Sequence, residues 1–213
     1  MQALLSVIRK IRAESATFGT SGNASARAGQ AESFWITPSG VPWDAITATE
    51  MVELSVESGR QLTGHLAPST EWRFHQGVYR AHDWAGGIVH LHSTYATVLS
   101  TINRAVQPVH YQMVRVADEV PVLPYATFGS AQLAKGIVEA ISPQQRAVLL
   151  QNHGLVAVGE TVEQAHQAAL EVEWTAMIQY HASLLAAPRV LTGDELQAVR
   201  EAFSRYGQPS QEH

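Results

Sequence analysis

The chain has 213 residues, of which 46% are hydrophobic and 15% are charged, and its net charge is −5. This length indicates one domain with ample material for a core, and the acidic balance without a basic run argues against nucleic acid and anionic membranes as partners. The chain contains no cysteine, which excludes disulfides, thiol nucleophiles and cysteine-ligated metal sites, and we expect a cytoplasmic location. The low share of charged residues predicts that part of the surface is hidden in an oligomer.

Apolar residues recur at helical spacing over residues 2–18, which predicts an amphipathic first helix without the continuous apolar run of a signal peptide. Beyond it, in chain order, the pattern predicts strands over 33–37 and 51–56, a loop over 59–68 and a helix over 70–80. A strand over 87–92, a helix over 94–102, a strand over 120–123 and a helix over 130–140 follow. The chain then continues with predicted strands over 147–151 and 155–158 and predicted helices over 161–185 and 192–206. We therefore expect a single α/β domain over residues 1–213, with a mixed sheet and helices on both of its faces.

Several helix ends and turns carry local signals. Ser69 or Thr70 is predicted to cap the helix that follows Pro68. Two segments with the pattern S/T-x-x-E/Q predict capping boxes, one at Thr161 and one at Thr192. Gly154 is predicted to supply the turn of the hairpin formed by the strands over 147–151 and 155–158.

Three histidines and one carboxylate are candidates for a metal site. His90 and His92 alternate on a predicted strand, so both imidazoles point to the same face, about 6.6 Å apart. His153 stands at the tip of the predicted hairpin, and Glu71 stands at a helix start, where the helix dipole by itself favours an acidic residue. Each alone is also typical of an ordinary structural residue, but together they match a catalytic metal site with room for a substrate.

Three clusters of hydroxyl and small residues lie at 20–23, 37–40 and 69–70. Loops of this kind present backbone N–H groups and hydroxyls to an anion, which predicts a phosphate or carboxylate cradle, although each cluster alone is typical of a turn. The two lysines, Lys10 and Lys135, both lie in predicted amphipathic helices and are poorly placed for a Schiff base. Carbonyl chemistry in this protein is therefore expected to depend on a metal.

A series of motifs runs in one order from about Leu4 to Gly207. They are GTSGNASAR (19–27), ITPSGVP (36–42), PSTEWRFH (68–75), VHLH (89–92), PVHY (108–111), PYATFGS (124–130), QNHGLVA (151–157) and RYG (205–207). In these motifs the chain resembles the class II aldolase/adducin family, most closely its L-fuculose-phosphate aldolases. The resemblance implies a three-layer α/β/α sandwich with a mixed central sheet, assembled as a homotetramer whose active sites lie between subunits.

The resemblance also implies a role for each matching residue. The zinc ligands would be His90, His92, His153 and Glu71, and Glu71 would also act as the acid/base. The phosphate-binding positions would be Gly22, Asn23, Ser39, Gly40, Ser69 and Thr70. Tyr111 would donate a proton across the subunit boundary, and Tyr206 would close over the substrate.

The reaction implied by the resemblance is zinc-dependent cleavage of a ketose 1-phosphate, similar to L-fuculose 1-phosphate, into dihydroxyacetone phosphate and an aldehyde through an enediolate. Other reactions of the family share the three histidines: 4-epimerisation of pentulose phosphates, decarboxylation of sugar-acid phosphates and dehydration of methylthioribulose 1-phosphate. A non-catalytic, adducin-like scaffold is the alternative from a different class. That alternative is disfavoured because the chain keeps all four candidate ligands and carries no long basic tail.

Overall fold

In the computed structural model, which describes residues 1–14 and 19–205, one eight-stranded sheet lies between two layers of helices. The helices are α1 Gln2–Ala13, α2 Trp72–Ala81, α3 Thr94–Thr101, α4 Ala131–Ala140, α5 Val162–Leu185 and α6 Gly193–Ser204. The strands are β1 Asn23–Arg27, β2 Ser33–Ile36, β3 Val52–Ser55, β4 Gln61–Thr63, β5 Gly87–Leu91, β6 Val122–Leu123, β7 Ala147–Leu150 and β8 Gly154–Gly159. None of the described helices combines the length and the apolarity that crossing a bilayer requires.

The strands follow the order β4-β3-β2-β1-β5-β8-β7-β6. Only the β6–β7 pair is parallel, and the other neighbours are antiparallel, so the sheet is mixed, as predicted. Strand β5 lies in the middle, between β1 and β8. Its register places His90 opposite Asn23 on one side and opposite Val156 on the other. This register brings polar residues from β1 and β5 together at one end of the sheet.

The two faces of the sheet bury different residues of β5, because successive side chains of a strand point in opposite directions. Val89 and Leu91 belong to the core formed with α1, α3 and α5. Ile88 belongs to the second core, formed with α2 and α4. The fold is therefore the three-layer α/β/α sandwich that the sequence predicts. Helix α6 packs outside these layers, against a short 3₁₀ turn over Tyr111–Arg115.

Some predicted elements differ from those in the structure. β1 was not predicted, because its sequence NASAR contains no β-branched or aromatic residue. The predicted loop over residues 59–68 contains the exposed edge strand β4, which has no buried side to reveal it. Helix α1 ends at Ala13, and the last part of its predicted range, residues 15–18, lies outside the described residues.

One predicted helix cap is wrong, and one predicted capping box is incomplete. The cap of α2 is Glu71 rather than Ser69 or Thr70, although the Ser69 hydroxyl accepts a hydrogen bond from the Glu71 amide at 3.3 Å. At Thr161 the cap accepts from the Gln164 amide, but the Gln164 side chain accepts from Glu160 instead of returning to the cap. The box at Thr192 is complete.

The turn between β7 and β8 does not use Gly154 as predicted. Asn152 is the residue with a left-handed conformation, at φ 56°, which asparagine tolerates better than most side chains. Gly154 is needed for a different reason, since a Cβ atom there would lie 2.4 Å from the Leu91 carbonyl oxygen and 3.0 Å from the His92 ring. The missing side chain lets the turn that carries His153 approach the end of β5.

Candidate active site

Three imidazole rings meet where β5 ends and β8 begins. His90 is the buried fourth residue of β5, His92 follows the strand, and His153 stands in the turn before β8. The ring centroids are separated by 5.0 Å (His90–His92), 4.8 Å (His90–His153) and 4.9 Å (His92–His153). One ring nitrogen from each lies within 4.8 Å of the others. The three nitrogens therefore face a common point, as the ligands of one ion do.

The backbone determines which nitrogen of His90 faces this point. Its Nδ1 atom donates to the carbonyl oxygen of Leu155 at 2.9 Å, so Nε2 is the nitrogen that faces this point and that offers a lone pair to a metal once it has lost its proton. That Nε2 atom lies 3.2 Å from Nε2 of His92 and 3.2 Å from Oε2 of Glu71. A backbone acceptor behind a ligating imidazole is the usual device for selecting its tautomer and orientation.

Glu71 completes the group from the N-terminus of α2. Its Oε2 atom accepts a hydrogen bond from the Asn23 amide at 3.0 Å. Its Oε1 atom is buried without a hydrogen-bond partner and lies 3.7 Å from Nε2 of His153. Three imidazole nitrogens and a carboxylate with one unpaired oxygen fit a divalent transition metal such as zinc, because these are its usual nitrogen and oxygen ligands.

The charges of the four side chains are coupled. Burial raises the pKa of Glu71, but the charge and hydrogen bond of His90, together with His153 and Asn23, outweigh it and lower that pKa to about 2. Burial lowers the pKa of His90, yet the Glu71 carboxylate and the Leu155 carbonyl raise it above its ordinary value. For His92 and His153, burial and the charge on His90 lower the pKa to about 4, so both rings are neutral near neutral pH, as metal ligands must be.

A cleft of ≈ 310 Å³ opens over Glu71, His92 and His153. All six predicted phosphate-binding residues line it: Gly22, Asn23, Ser39, Gly40, Ser69 and Thr70. Their role as a phosphate site stays a prediction. They line the cleft together with Glu71, His92 and His153, and His90 lies next to Glu71.

Backbone hydrogen bonds hold two of the cradle loops together. The Ser39 amide donates to the Ala67 carbonyl at 3.0 Å, and the Ser69 amide donates to the Thr37 carbonyl at 3.0 Å. Gly40 adopts φ 69°, and Gly22, on the third loop, adopts φ 83°, conformations that glycine reaches without strain. The loops thereby present small side chains and backbone groups near the N-terminus of α2, an arrangement suited to an anion.

No lysine or arginine is among the residues that line this cleft. Lys135 lies on α4, exposed, with its ammonium 3.7 Å from Glu139, and Lys10 lies on α1. The cleft therefore offers no amine for a Schiff base, as expected from the sequence. In the described part of the cleft, the groups that can bind an anionic ligand are therefore backbone amides, hydroxyls, histidines or a bound cation.

Of the two predicted tyrosines, the structure describes only Tyr111, which is not among the residues that line the cleft. Tyr111 is 47% exposed and stacks on Phe203 of α6, with ring centroids 5.9 Å apart. It lies outside the residues that line the cleft of its own chain, so its role stays a prediction that needs a neighbouring subunit. Tyr206 lies outside the described residues.

Two aromatic residues that line the cleft, Tyr125 and Phe128, had no role predicted from the sequence. Tyr125 is 60% exposed and Phe128 is 63% exposed, and exposed apolar groups that share one cleft are typical of a binding site. Both belong to the quoted motif PYATFGS. Two aromatics followed by a glycine, here Gly129 at φ 70°, are the signal in that motif that could have indicated a cleft rim.

The comparisons with known proteins agree with this geometry. A family model described as the Class II Aldolase and Adducin N-terminal domain matches residues 2–180. The chain is 35% identical over 191 residues to an L-fuculose phosphate aldolase of Escherichia coli (strain K12), covering 89% of this chain and 86% of the relative. It is 32% identical over 209 residues to a 5-methylthioribulose-1-phosphate/5-deoxyribulose-1-phosphate aldolase of Rhodospirillum rubrum, covering 98% and 92%. A solved structure of an L-fuculose 1-phosphate aldolase matches with a TM-score of 0.88 at 32% identity, covering 95% of each chain.

Proposed function

Because the chain belongs to the class II aldolase and adducin family and is a lyase of that family, we propose that it cleaves a ketose 1-phosphate into dihydroxyacetone phosphate and an aldehyde. The observation that carries the proposal is the position of Glu71. Its unpaired carboxylate oxygen lies beside the histidine cluster, and Glu71 lines a cleft together with the six residues of the proposed anion cradle. A general base, a metal-ligand set and a phosphate site are the parts that this reaction needs.

A divalent metal, proposed as zinc and held by the three histidines and Glu71, would supply the Lewis acid that stabilises negative charge on the substrate oxygens. The cradle would hold the phosphate, so that the hydroxymethyl carbon of dihydroxyacetone phosphate lies beside Glu71. In the direction of synthesis, Glu71 removes a proton from that carbon, which then forms its bond to the aldehyde carbon. Tyr111 of a neighbouring subunit donates a proton to the aldehyde oxygen. Cleavage is the reverse of these steps.

The proposed substrate is similar to L-fuculose 1-phosphate, and one observation supports a second candidate. The relative from R. rubrum is named for methylthio- and deoxyribulose 1-phosphates, whose aldehyde halves are less polar. The exposed rings of Tyr125 and Phe128 give the cleft an apolar rim that suits such an aldehyde. Both candidates share the ketose 1-phosphate half.

The proposal includes a homotetramer with shared sites, acting in the cytoplasm. Low charge and the position of Tyr111 outside its own cleft support the shared site. The proposed anion cradle and the convergence of four ligand side chains favour an enzyme over a non-catalytic scaffold of the adducin kind, since a scaffold has no need of them.

The test is a screen of L-fuculose 1-phosphate, 5-deoxyribulose 1-phosphate, methylthioribulose 1-phosphate, pentulose 5-phosphates and phosphorylated sugar acids. Release of dihydroxyacetone phosphate from a ketose 1-phosphate, at a rate well above all other conversions, is the expected result. A faster release of carbon dioxide, a faster loss of water or a faster formation of a 4-epimer would replace the aldolase assignment with the corresponding reaction.

A further inference from the structure

A buried chain of polar side chains begins at the cleft with Glu71 and ends at Tyr79, which does not line the cleft. From Glu71 it passes to Asn23 (3.0 Å), then to His75 (2.6 Å), Ser25 (2.7 Å) and the hydroxyl of Tyr79 (2.7 Å). All five side chains are almost completely buried. Such a row is costly to bury unless every member is hydrogen bonded, and here each link is made.

Two secondary-structure elements build this chain by interleaving. On α2, Glu71, His75 and Tyr79 are spaced by four residues and therefore lie on one face of the helix. On β1, Asn23 and Ser25 alternate and lie on one face of the strand. The helix packs across the strand, so the two sets of side chains alternate along the hydrogen-bonded row.

The carboxylate at one end determines the direction of every hydrogen bond. Glu71 can only accept, so the Asn23 amide presents its NH₂ group to Glu71 and its oxygen to His75. The His75 ring must then donate from Nε2 to Asn23, and burial holds its pKa at about 3, so the ring is neutral and Nδ1 accepts from Ser25. Ser25 in turn accepts from Tyr79, whose pKa burial raises, so that its hydroxyl keeps the proton it donates.

This row is unsuited to carrying protons. The Asn23 amide interrupts it, because an amide would have to pass through its imidic acid form to relay a proton. Because all of its hydrogen bonds point the same way and the amide does not pass a proton, the row instead fixes the orientation of the side chain at its end. That group is the carboxylate of Glu71, whose Oε2 atom is held while Oε1 is left toward the histidines.

We propose that His75 is a positioning residue: it locks the Asn23 amide and, through it, the direction in which Glu71 presents its free oxygen to the metal and the substrate. This inference rests on the proposed function, since it assigns His75 to the site where Glu71 acts as ligand and base. A reversed Asn23 amide would place its oxygen against the Glu71 carboxylate, and His75 prevents that reversal.

The test compares two substitutions at one position. His75→Phe keeps an aromatic ring of similar size, next to the stacked Phe74, but removes the donor to Asn23. His75→Gln keeps an N–H donor and a carbonyl acceptor at nearly the same reach. His166→Phe, on α5 and remote from the cleft, is the matched control, because His166 is also a buried histidine with a polar partner, Glu14 at 2.8 Å.

Zinc affinity is measured by competition with a chromogenic chelator, and the visible spectrum is recorded after substitution with Co²⁺. We expect His75→Phe to weaken zinc binding about 10- to 100-fold and to alter the cobalt spectrum, the usual result of losing a residue that orients a ligand. We expect His75→Gln and His166→Phe to keep both properties of the parent protein. With the cognate substrate, His75→Phe should lower kcat while KM, which reflects the cradle, changes little.

A folded His75→Phe protein with the parent zinc affinity and cobalt spectrum overturns the proposal, as does a Gln variant that loses as much as the Phe variant. If His75→Phe does not fold, Ser25→Ala decides, since it removes the bond that holds the histidine tautomer. Its zinc affinity should fall roughly 2- to 10-fold, and an unchanged affinity rejects the proposal.

The metal readouts separate this inference from the proposed reaction. If zinc and cobalt binding respond as expected but no ketose phosphate is cleaved, only the reaction is wrong. If the His75→Phe protein cleaves a ketose phosphate normally and binds zinc normally, only the positioning role is wrong.

Discussion

The Oε2 atom of Glu71 lies 3.2 Å from Nε2 of His90, although Glu71 caps helix α2 and His90 lies in strand β5. Its other oxygen has no hydrogen-bond partner and faces His153. A carboxylate used only to favour the start of a helix would turn to solvent or to backbone amides. The buried position of Glu71 beside two imidazoles therefore indicates a role in the chemistry of the site.

Removal of the metal should abolish activity. We expect about one zinc per chain, loss of turnover in the presence of a strong chelator, and recovery when a divalent metal is added. Because His90 and His153 come from separate segments, zinc at 100 times its Kd should also stabilise the folded state by about 2.7 kcal/mol. Metal analysis, turnover and thermal unfolding measure the three effects, and full turnover by exhaustively metal-free protein would contradict the metal site.

Glu71→Gln should remove the base while leaving the fold and the cradle in place. We expect kcat to fall at least about 100-fold, the usual effect of losing a general base, with phosphate binding retained. The variant should also fail to exchange the proton of dihydroxyacetone phosphate with deuterated solvent, a step that needs no aldehyde. Glu139→Gln on the exposed face of α4 is the control. Exchange at the parent rate in a Glu71→Gln protein that keeps its metal would show that Glu71 is not the base.

Tyr111 should serve the site of a neighbouring subunit. We expect Tyr111→Phe and His92→Ala proteins to be nearly inactive when each is assayed alone. Mixed assemblies should recover part of the activity, because some of their sites contain an intact Tyr111 from one chain and an intact His92 from the other. Activity after subunit exchange, followed by native mass spectrometry, is the measurement. No recovery despite confirmed exchange would argue against a shared site.

Gly154→Ala should damage the metal site through the backbone. The new Cβ atom would meet the Leu91 carbonyl oxygen at 2.4 Å, so the turn has to move away from β5 and take His153 with it. We expect a loss of about 1–3 kcal/mol in the free energy of unfolding, together with weaker zinc binding. Gly193→Ala at the start of α6 is the control, since a Cβ atom there meets nothing within 4 Å. Equal stability and equal zinc affinity in the two variants would contradict this account of Gly154.

Much of the fold and of the candidate site could be predicted because the signals are local. Helical spacing identified α1, α2, α4 and α5 within a few residues, and the run GIVHLH identified β5. The alternation of His90 and His92 placed both rings on one face of a strand before any tertiary contact was known. His153 and Glu71 joined them as candidates by residue type, the family motifs implied the same four ligands, and the structure brings all four side chains together.

Other features depend on contacts between distant parts of the chain. β1 has a sequence without strand propensity and forms because β2 and β5 pair with it on both sides. That pairing sets Asn23 opposite His90, and the packing of α2 across β1 then aligns His75 with Asn23. Asn152, and not Gly154 as predicted, supplies the left-handed residue of the turn, because a turn is shaped by what it packs against as well as by its own sequence. Periodicity along the chain determines which residues share a face, but register and packing, which are fixed only when the sheet assembles, decide which faces meet.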